Sequence, residues 1–221
     1  MQQLEMFNIN KYRKILEEIE LLGKKTQIIA ISKNHPKEFV EDALKHGVRV
    51  FGENRVQEAK IKFEDLRKAT PNIELHLTGP LQTNKVKEAV KLFDVFHTLD
   101  REKLAKEIIK QGDLKNKKFF IQVNTGREEN KSGIYLEQLD EFTNYCKNDL
   151  ALNIVGLMCI PPINDPPENH FSILEKQAKK NNLAHLSIGM SDDYIEAIKH
   201  NATYIRIGTS LFGKRQQWKQ K

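Results

Sequence analysis

Apolar residues recur along this chain in two alternating rhythms. An opening stretch places Leu4, Tyr12, Ile15, Leu16, Ile19 and Leu22 at helical spacing and stops at Gly23, which predicts an amphipathic helix within residues 1–23. After it, short apolar runs alternate with longer helical patterns. The runs are QIIAIS (27–32), VRVFG (48–52), IELHLTG (73–79), DVFHTL (94–99), KFFIQVN (118–124), NIVGLMCI (153–160), HLSIG (185–189) and YIRIG (204–208). Most are rich in Ile, Val, Phe and Leu without clean alternation, as expected of strands covered on both faces. Helical segments such as PKEFVEDALKHG and REKLAKEIIKQG lie between them, each closed by a Gly suited to a C-terminal cap.

Strands and helices alternating through short connections predict parallel βαβ units. Eight of them predict an α/β fold, a single (β/α)8 TIM-like barrel with an extra N-terminal helix, formed as one domain over residues 1–221. An open doubly wound sheet would want a Gly-rich fingerprint after the first strand, where this chain reads SKNHPKE. The Pro-rich PPINDPP (161–167) follows the sixth strand and is expected as a rigid loop at the barrel mouth.

Composition narrows the class without naming it. The start, MQQLEMFNIN, lacks a basic region followed by an apolar run, and the longest apolar stretches fall short of a bilayer span. A cytoplasmic protein that uses no membrane is expected. Two cysteines, Cys146 and Cys159, are too few for a disulfide framework, and the seven histidines show no zinc-site spacing. No metal is expected. The net charge of +6 is spread along helices rich in Glu, with a compact basic tail only over residues 214–221. Specific nucleic-acid binding is therefore not expected, although a positive surplus suits a phosphorylated small ligand.

Active sites of such barrels gather at the C-terminal ends of the strands. Reading those ends singles out Ser32-Lys33, Glu53-Asn54, His76 running into Thr78-Gly79, Asn124, Cys159, Gly189-Met190-Ser191 and Arg206-Ile207-Gly208-Thr209. Loops after strands seven and eight often bind phosphate in this fold. Ser191 is placed to cap the helix DDYIEAIKH, and Gly208-Thr209 offers backbone N–H groups and a hydroxyl; both segments could equally be plain helix caps. Lys33, directly after an apolar strand, is either a solvated loop lysine or an amine whose lowered pKa makes it nucleophilic toward an aldehyde. Arg206, ending a buried strand, needs a partner: a ligand, or a carboxylate, for which Glu53 is the obvious candidate.

With these residues in place, the chain resembles the pyridoxal phosphate homeostasis proteins, single-domain relatives of the barrel half of alanine racemase. The resemblance spans about residues 27–213 through AISK, FGENRVQE, HLTGPLQTNK, QVNTGREENKSG, GLMCIPP, LSIGMSDD and RIGTSLFG. It implies pyridoxal 5'-phosphate as cofactor, held as a Schiff base on Lys33. It also implies Arg206 near the pyridine nitrogen, Ser191, Gly208 and Thr209 around the phosphate, and Asn54, His76 and Met190 lining the cofactor. The chain departs from the family pattern at Arg55, Thr78, Pro80 and Ile188. The function implied is intracellular vitamin B6 homeostasis with no catalytic residues assigned, in a monomer whose partners are the cofactor and pyridoxal-phosphate-dependent apo-enzymes.

Three other readings compete. A weak racemase-like enzyme would use His76 or Cys159 for proton transfer. The chain ends soon after RIGTSLFG, however, so the second domain that supplies an acid–base group in racemases is not expected. A sugar-phosphate enzyme would use Lys33 as an aldolase-type amine. An RNA or membrane-surface protein would depend on the basic tail.

Overall fold

The computed structural model describes residues 6–214. Its eight strands form a closed barrel in sequence order, each parallel to the next, and β1 (Gln27–Ile31) closes the ring against β8 (Tyr204–Ile207). The others are β2 (Val50–Glu53), β3 (Glu74–Leu77), β4 (Val95–Leu99), β5 (Lys118–Gln122), β6 (Ile154–Met158) and β7 (His185–Ser187). Seven of the eight apolar runs predicted as strands contain one of them, and VRVFG overlaps β2, which runs one residue further to Glu53. Lys214 is the only residue of the basic tail within the described part, and Leu4 of the opening helix lies outside it.

Residue parity along the strands decides what lies inside the barrel. Ile29, Ile31, Val95, Phe120, Met158 and Tyr204 pack together in an inner cluster. Their neighbours Ile28, Ala30, Phe119, Ile121, Leu157 and Ile205 belong to the larger core between strands and helices. Successive side chains point to opposite faces of a strand, so β8 sends Tyr204 and Arg206 inward and Ile205 and Ile207 outward. Both faces are buried, which is why these strands read as continuous apolar runs.

Helices α2 (Lys37–Lys45), α3 (Val56–Ala69), α4 (Val86–Leu92), α5 (Glu102–Ile109), α6 (Leu139–Asn144), α7 (Pro167–Lys180) and α8 (Tyr194–Lys199) connect the strands. The glycines expected after α2 and α5, Gly47 and Gly112, have φ of 86° and 87°, a backbone that favours glycine. The extra helix α1 (Ile9–Leu21) starts where Asn8 Oδ1 accepts from the Lys11 N–H at 2.9 Å. It docks near the short α9 (Thr209–Phe212), with the Asn8 N–H donating to Leu211 O at 2.8 Å and the Phe7 and Phe212 rings 5.4 Å apart. Among the described residues no helix is long and apolar enough to cross a membrane, and no group of His, Cys, Asp and Glu could hold a metal ion.

Candidate functional site

A cleft of about 270 Å³ opens at the C-terminal mouth of the barrel. Seven of the eight expected cofactor residues line it: Lys33, Asn54, Met190, Ser191, Arg206, Gly208 and Thr209. Parity explains their convergence. Ile31 points into the barrel, so Lys33, two residues on, faces the mouth, and the same step carries Gly52 to Asn54 and Arg206 to Gly208. The cleft is also lined by His35, Ile160 and Asp192, which were not expected there, and by Thr78, singled out at the end of the third strand but given no cofactor role. Thr78 lies two residues beyond the inward His76. Its hydroxyl donates to Asn54 Oδ1 at 3.1 Å and holds that amide at the rim.

His76 lies elsewhere. It is fully buried inside the barrel, one layer beneath Thr78, with its ring nitrogens 2.8 Å from Glu74 Oε1 and 2.8 Å from His97 Nε2. Burial lowers its pKa despite the neighbouring carboxylate. His97 is pushed well below the ordinary histidine range, first by burial and then by His76 and Arg206.

Arg206 reaches the cleft from below and is 5% exposed. Its guanidinium donates to Ser187 O at 2.7 Å, Ser187 Oγ at 2.8 Å and Cys159 O at 3.0 Å. Glu53 is not its partner. Among the described residues no carboxylate comes within ion-pairing distance of Arg206; burial disfavours its charge, and Asp193 acts on it only from farther away. The reason is again parity: Gly52 faces into the barrel, so Glu53 faces outward toward α3.

Glu53 instead enters a buried charge cluster under the Lys33 loop. Lys62 Nζ donates to Glu53 at 2.8 Å, to Glu58 at 2.7 Å and to Ser32 O at 2.7 Å. Ser32 Oγ donates to Glu53 at 2.6 Å, and the Asn34 N–H donates to Glu58. All three charged side chains are at most 2% exposed. Burial, opposed by Lys62 and reinforced by Glu58, raises the Glu53 carboxyl to about 7. The residues on either side of Lys33 are therefore tied to α3. The sequence signal was present, since Glu58 and Lys62 stand four apart after Glu53, but such pairs usually lie on solvated helix faces.

The end of the cleft expected to take a phosphate differs in detail from expectation. The helix after β7 starts at Tyr194, so Ser191 does not cap it. Asp193 Oδ1 accepts the Met190 N–H at 2.5 Å and closes a turn ahead of the helix. Ser191 sits in that turn with its hydroxyl 3.5 Å from that of Ser210. Gly208 precedes α9 and its carbonyl accepts the Leu211 and Phe212 N–H groups, which leaves those of Thr209 and Ser210 at the start of the helix. Two glycines make the mouth possible. A Cβ on Gly79 would lie 2.4 Å from Asn54 O, and Gly189 has φ of 90° with Ala197 Cβ 2.4 Å from where its own would be.

Of the two residues suggested for proton transfer, neither is free to act. Both nitrogens of His76 are engaged within the barrel. The Cys159 thiol is fully buried and pushed up to about 12 by burial, so it is not a thiolate at neutral pH.

Comparison with known proteins agrees with the barrel fold. The profile of the alanine racemase N-terminal domain matches residues 8–216. The pyridoxal phosphate homeostasis protein of Aquifex aeolicus is 40% identical over 201 residues, covering 86% of this chain and 87% of that one. PipY of Synechococcus elongatus, solved with pyridoxal phosphate bound, is 34% identical with a TM-score of 0.75, covering 90% of this chain and all of that one. Alanine racemase of Corynebacterium glutamicum, at 15% identity and a TM-score of 0.67 over 92% of this chain and 60% of that one, shares the fold. The chain therefore belongs to the alanine racemase N-terminal domain family and, within it, to the pyridoxal phosphate homeostasis proteins.

Proposed function

We propose that this protein binds pyridoxal 5'-phosphate in the barrel-mouth cleft, reversibly joined to Lys33, and holds or delivers the cofactor rather than turning over substrate. The observation that carries this reading is the convergence of Lys33, Arg206 and the Ser191–Gly208–Thr209 group on one small cleft. The PLP-bound PipY relative supports it. When bound, the cofactor supplies an aldehyde, a phosphate dianion and an electron-accepting pyridine ring.

The chain's own residues fit these three parts. Lys33, at the mouth of the cleft, would supply the amine that takes up the aldehyde reversibly. The hydroxyls of Ser191 and Thr209 and the N–H groups beginning α9 hold the phosphate. Arg206 would meet the pyridine nitrogen as a permanent donor, which would disfavour protonation there and weaken the ring as an electron sink. Asn54 and Met190 bound the ring at the rim.

The buried positions of His76 and Cys159 support a carrier over a racemase-like enzyme. On this reading the protein acts as a monomer in the cytoplasm, with apo-enzymes that need pyridoxal phosphate as recipients. Absorption spectra of desalted protein mixed with pyridoxal phosphate test it. A retained visible band that borohydride fixes onto Lys33, and that Lys33→Ala lacks, is expected; no band in the wild-type protein refutes it. Turnover of an amino acid that depends on Lys33 would refute the carrier role alone.

A further inference from the structure

A continuous chain of hydrogen bonds runs through the barrel interior from Arg206 to the opposite end. Arg206 donates to Ser187 Oγ at 2.8 Å, Ser187 Oγ lies 2.8 Å from His97 Nδ1, His97 Nε2 lies 2.8 Å from His76 Nδ1, and His76 Nε2 lies 2.8 Å from Glu74 Oε1. Ser187, His97 and His76 are all fully buried, whereas the Glu74 side chain at the start of β3 is 31% exposed. The rings are braced as well as bonded. His97 stacks on Phe120 at 4.7 Å and 8°, and His76 meets the edge of Tyr204 at 5.1 Å.

The direction of this chain is forced. The hydrogen bond from His76 holds the Glu74 carboxyl below the usual carboxylate range, so Glu74 is ionised and can only accept. His76 must then carry its proton on Nε2. Burial keeps His76 neutral, which leaves Nδ1 as an acceptor and requires Nε2–H on His97. His97, also neutral, accepts at Nδ1 from the Ser187 hydroxyl. The Ser187 oxygen finally accepts from Arg206, which can only donate. Every member therefore polarises the next in one sense, from guanidinium to carboxylate.

We propose that Glu74, His76, His97 and Ser187 are positioning residues for Arg206, fixing its guanidinium in the cleft and setting how tightly the cleft holds pyridoxal phosphate. A buried cation ordinarily takes a carboxylate as its neighbour. Arg206 has carbonyl and hydroxyl acceptors instead, with Asp193 acting on it from farther away and the Glu74 carboxylate closing the far end of the relay. The chain gives His76 a connection to the site although it does not line the cleft. The effect on affinity rests on the cofactor reading above, whereas the direction of the chain does not.

Two measurements decide it. In protein free of cofactor, side-chain 15N–1H correlation spectra should show both His76 and His97 as neutral Nε2–H tautomers at pH 7. The Arg206 guanidinium signals should shift in Glu74→Gln and exchange faster in Ser187→Ala. An Nδ1–H tautomer or an imidazolium at either histidine, or Arg206 signals unchanged in Glu74→Gln, overturns the proposal. Titration with pyridoxal phosphate then reads the coupling. Glu74→Gln and Ser187→Ala should each weaken binding roughly three- to tenfold. The double variant should be no weaker than Ser187→Ala, because that change already cuts the chain. Additive losses overturn the relay. Should wild-type protein bind no pyridoxal phosphate, the proposed function fails, and the cofactor-free spectra still decide the chain.

Discussion

Lys62 is the most informative single residue to change. Lys62→Met keeps an unbranched side chain one atom shorter and removes the charge from the cluster beneath the Lys33 loop. The lysine contacts two carboxylates at 2.7 and 2.8 Å and the Ser32 carbonyl at 2.7 Å. At an effective dielectric of about 20, each ionic contact at this distance carries roughly 6 kcal/mol of attraction before desolvation is subtracted. Removing one partner of a buried pair, with desolvation included, costs about 3–5 kcal/mol. That loss should appear at pH 8, where Glu53 and Glu58 are left facing each other without a cation. Acidification offers an escape, because Glu53 titrates near 7 even with Lys62 holding it down, and loss of Lys62 moves it higher still, so it gives up its charge well above pH 5.5. Urea unfolding at pH 8 and pH 5.5 checks this, with the shift in midpoint converted through a common slope. The destabilisation should be largest at pH 8 and clearly smaller at pH 5.5, and adding Glu53→Gln should recover part of it at pH 8. A loss below about 1 kcal/mol at pH 8, or one that does not shrink on acidification, would refute the reasoning.

Three further predictions follow from single contacts. Glu53 has a folded pKa raised from 4.5 to about 7, so its contribution to stability is complete below about 4.5 and is lost as pH rises through 7. The total is about 3 kcal/mol. Glu53→Gln should therefore gain on the wild-type protein across that window, and parallel stability–pH curves in chemical denaturation would contradict it. Phe120→Ala opens a cavity beside His97 and Tyr204 in the inner cluster and should cost about 3–5 kcal/mol in the same assay. Gly79→Ala forces a Cβ to within 2.4 Å of Asn54 O; it should cost about 1–3 kcal/mol and weaken pyridoxal phosphate uptake by displacing Asn54.

The barrel was legible because its evidence is local. Each strand buries both faces, so each appears as an apolar run, and a glycine follows α2 and α5 where a left-handed residue ends them. The place of Lys33 at the barrel mouth was legible for the same reason, because it stands directly after the first such run. The tertiary structure decided the rest, because the rest depends on which face a side chain takes and what waits there. Glu53 was matched to Arg206 from their places at strand ends, yet odd and even positions separate them by the whole wall of the barrel. Lys62 and Glu58 look like an ordinary surface pair until α3 turns them under the Lys33 loop. His76 points inward as a cofactor residue should, but two residues too early, and the layer above it belongs to Thr78. Local pattern follows from the chemistry of adjacent residues. The partners of a buried charge are set by closure of the ring, which joins residues far apart along the chain.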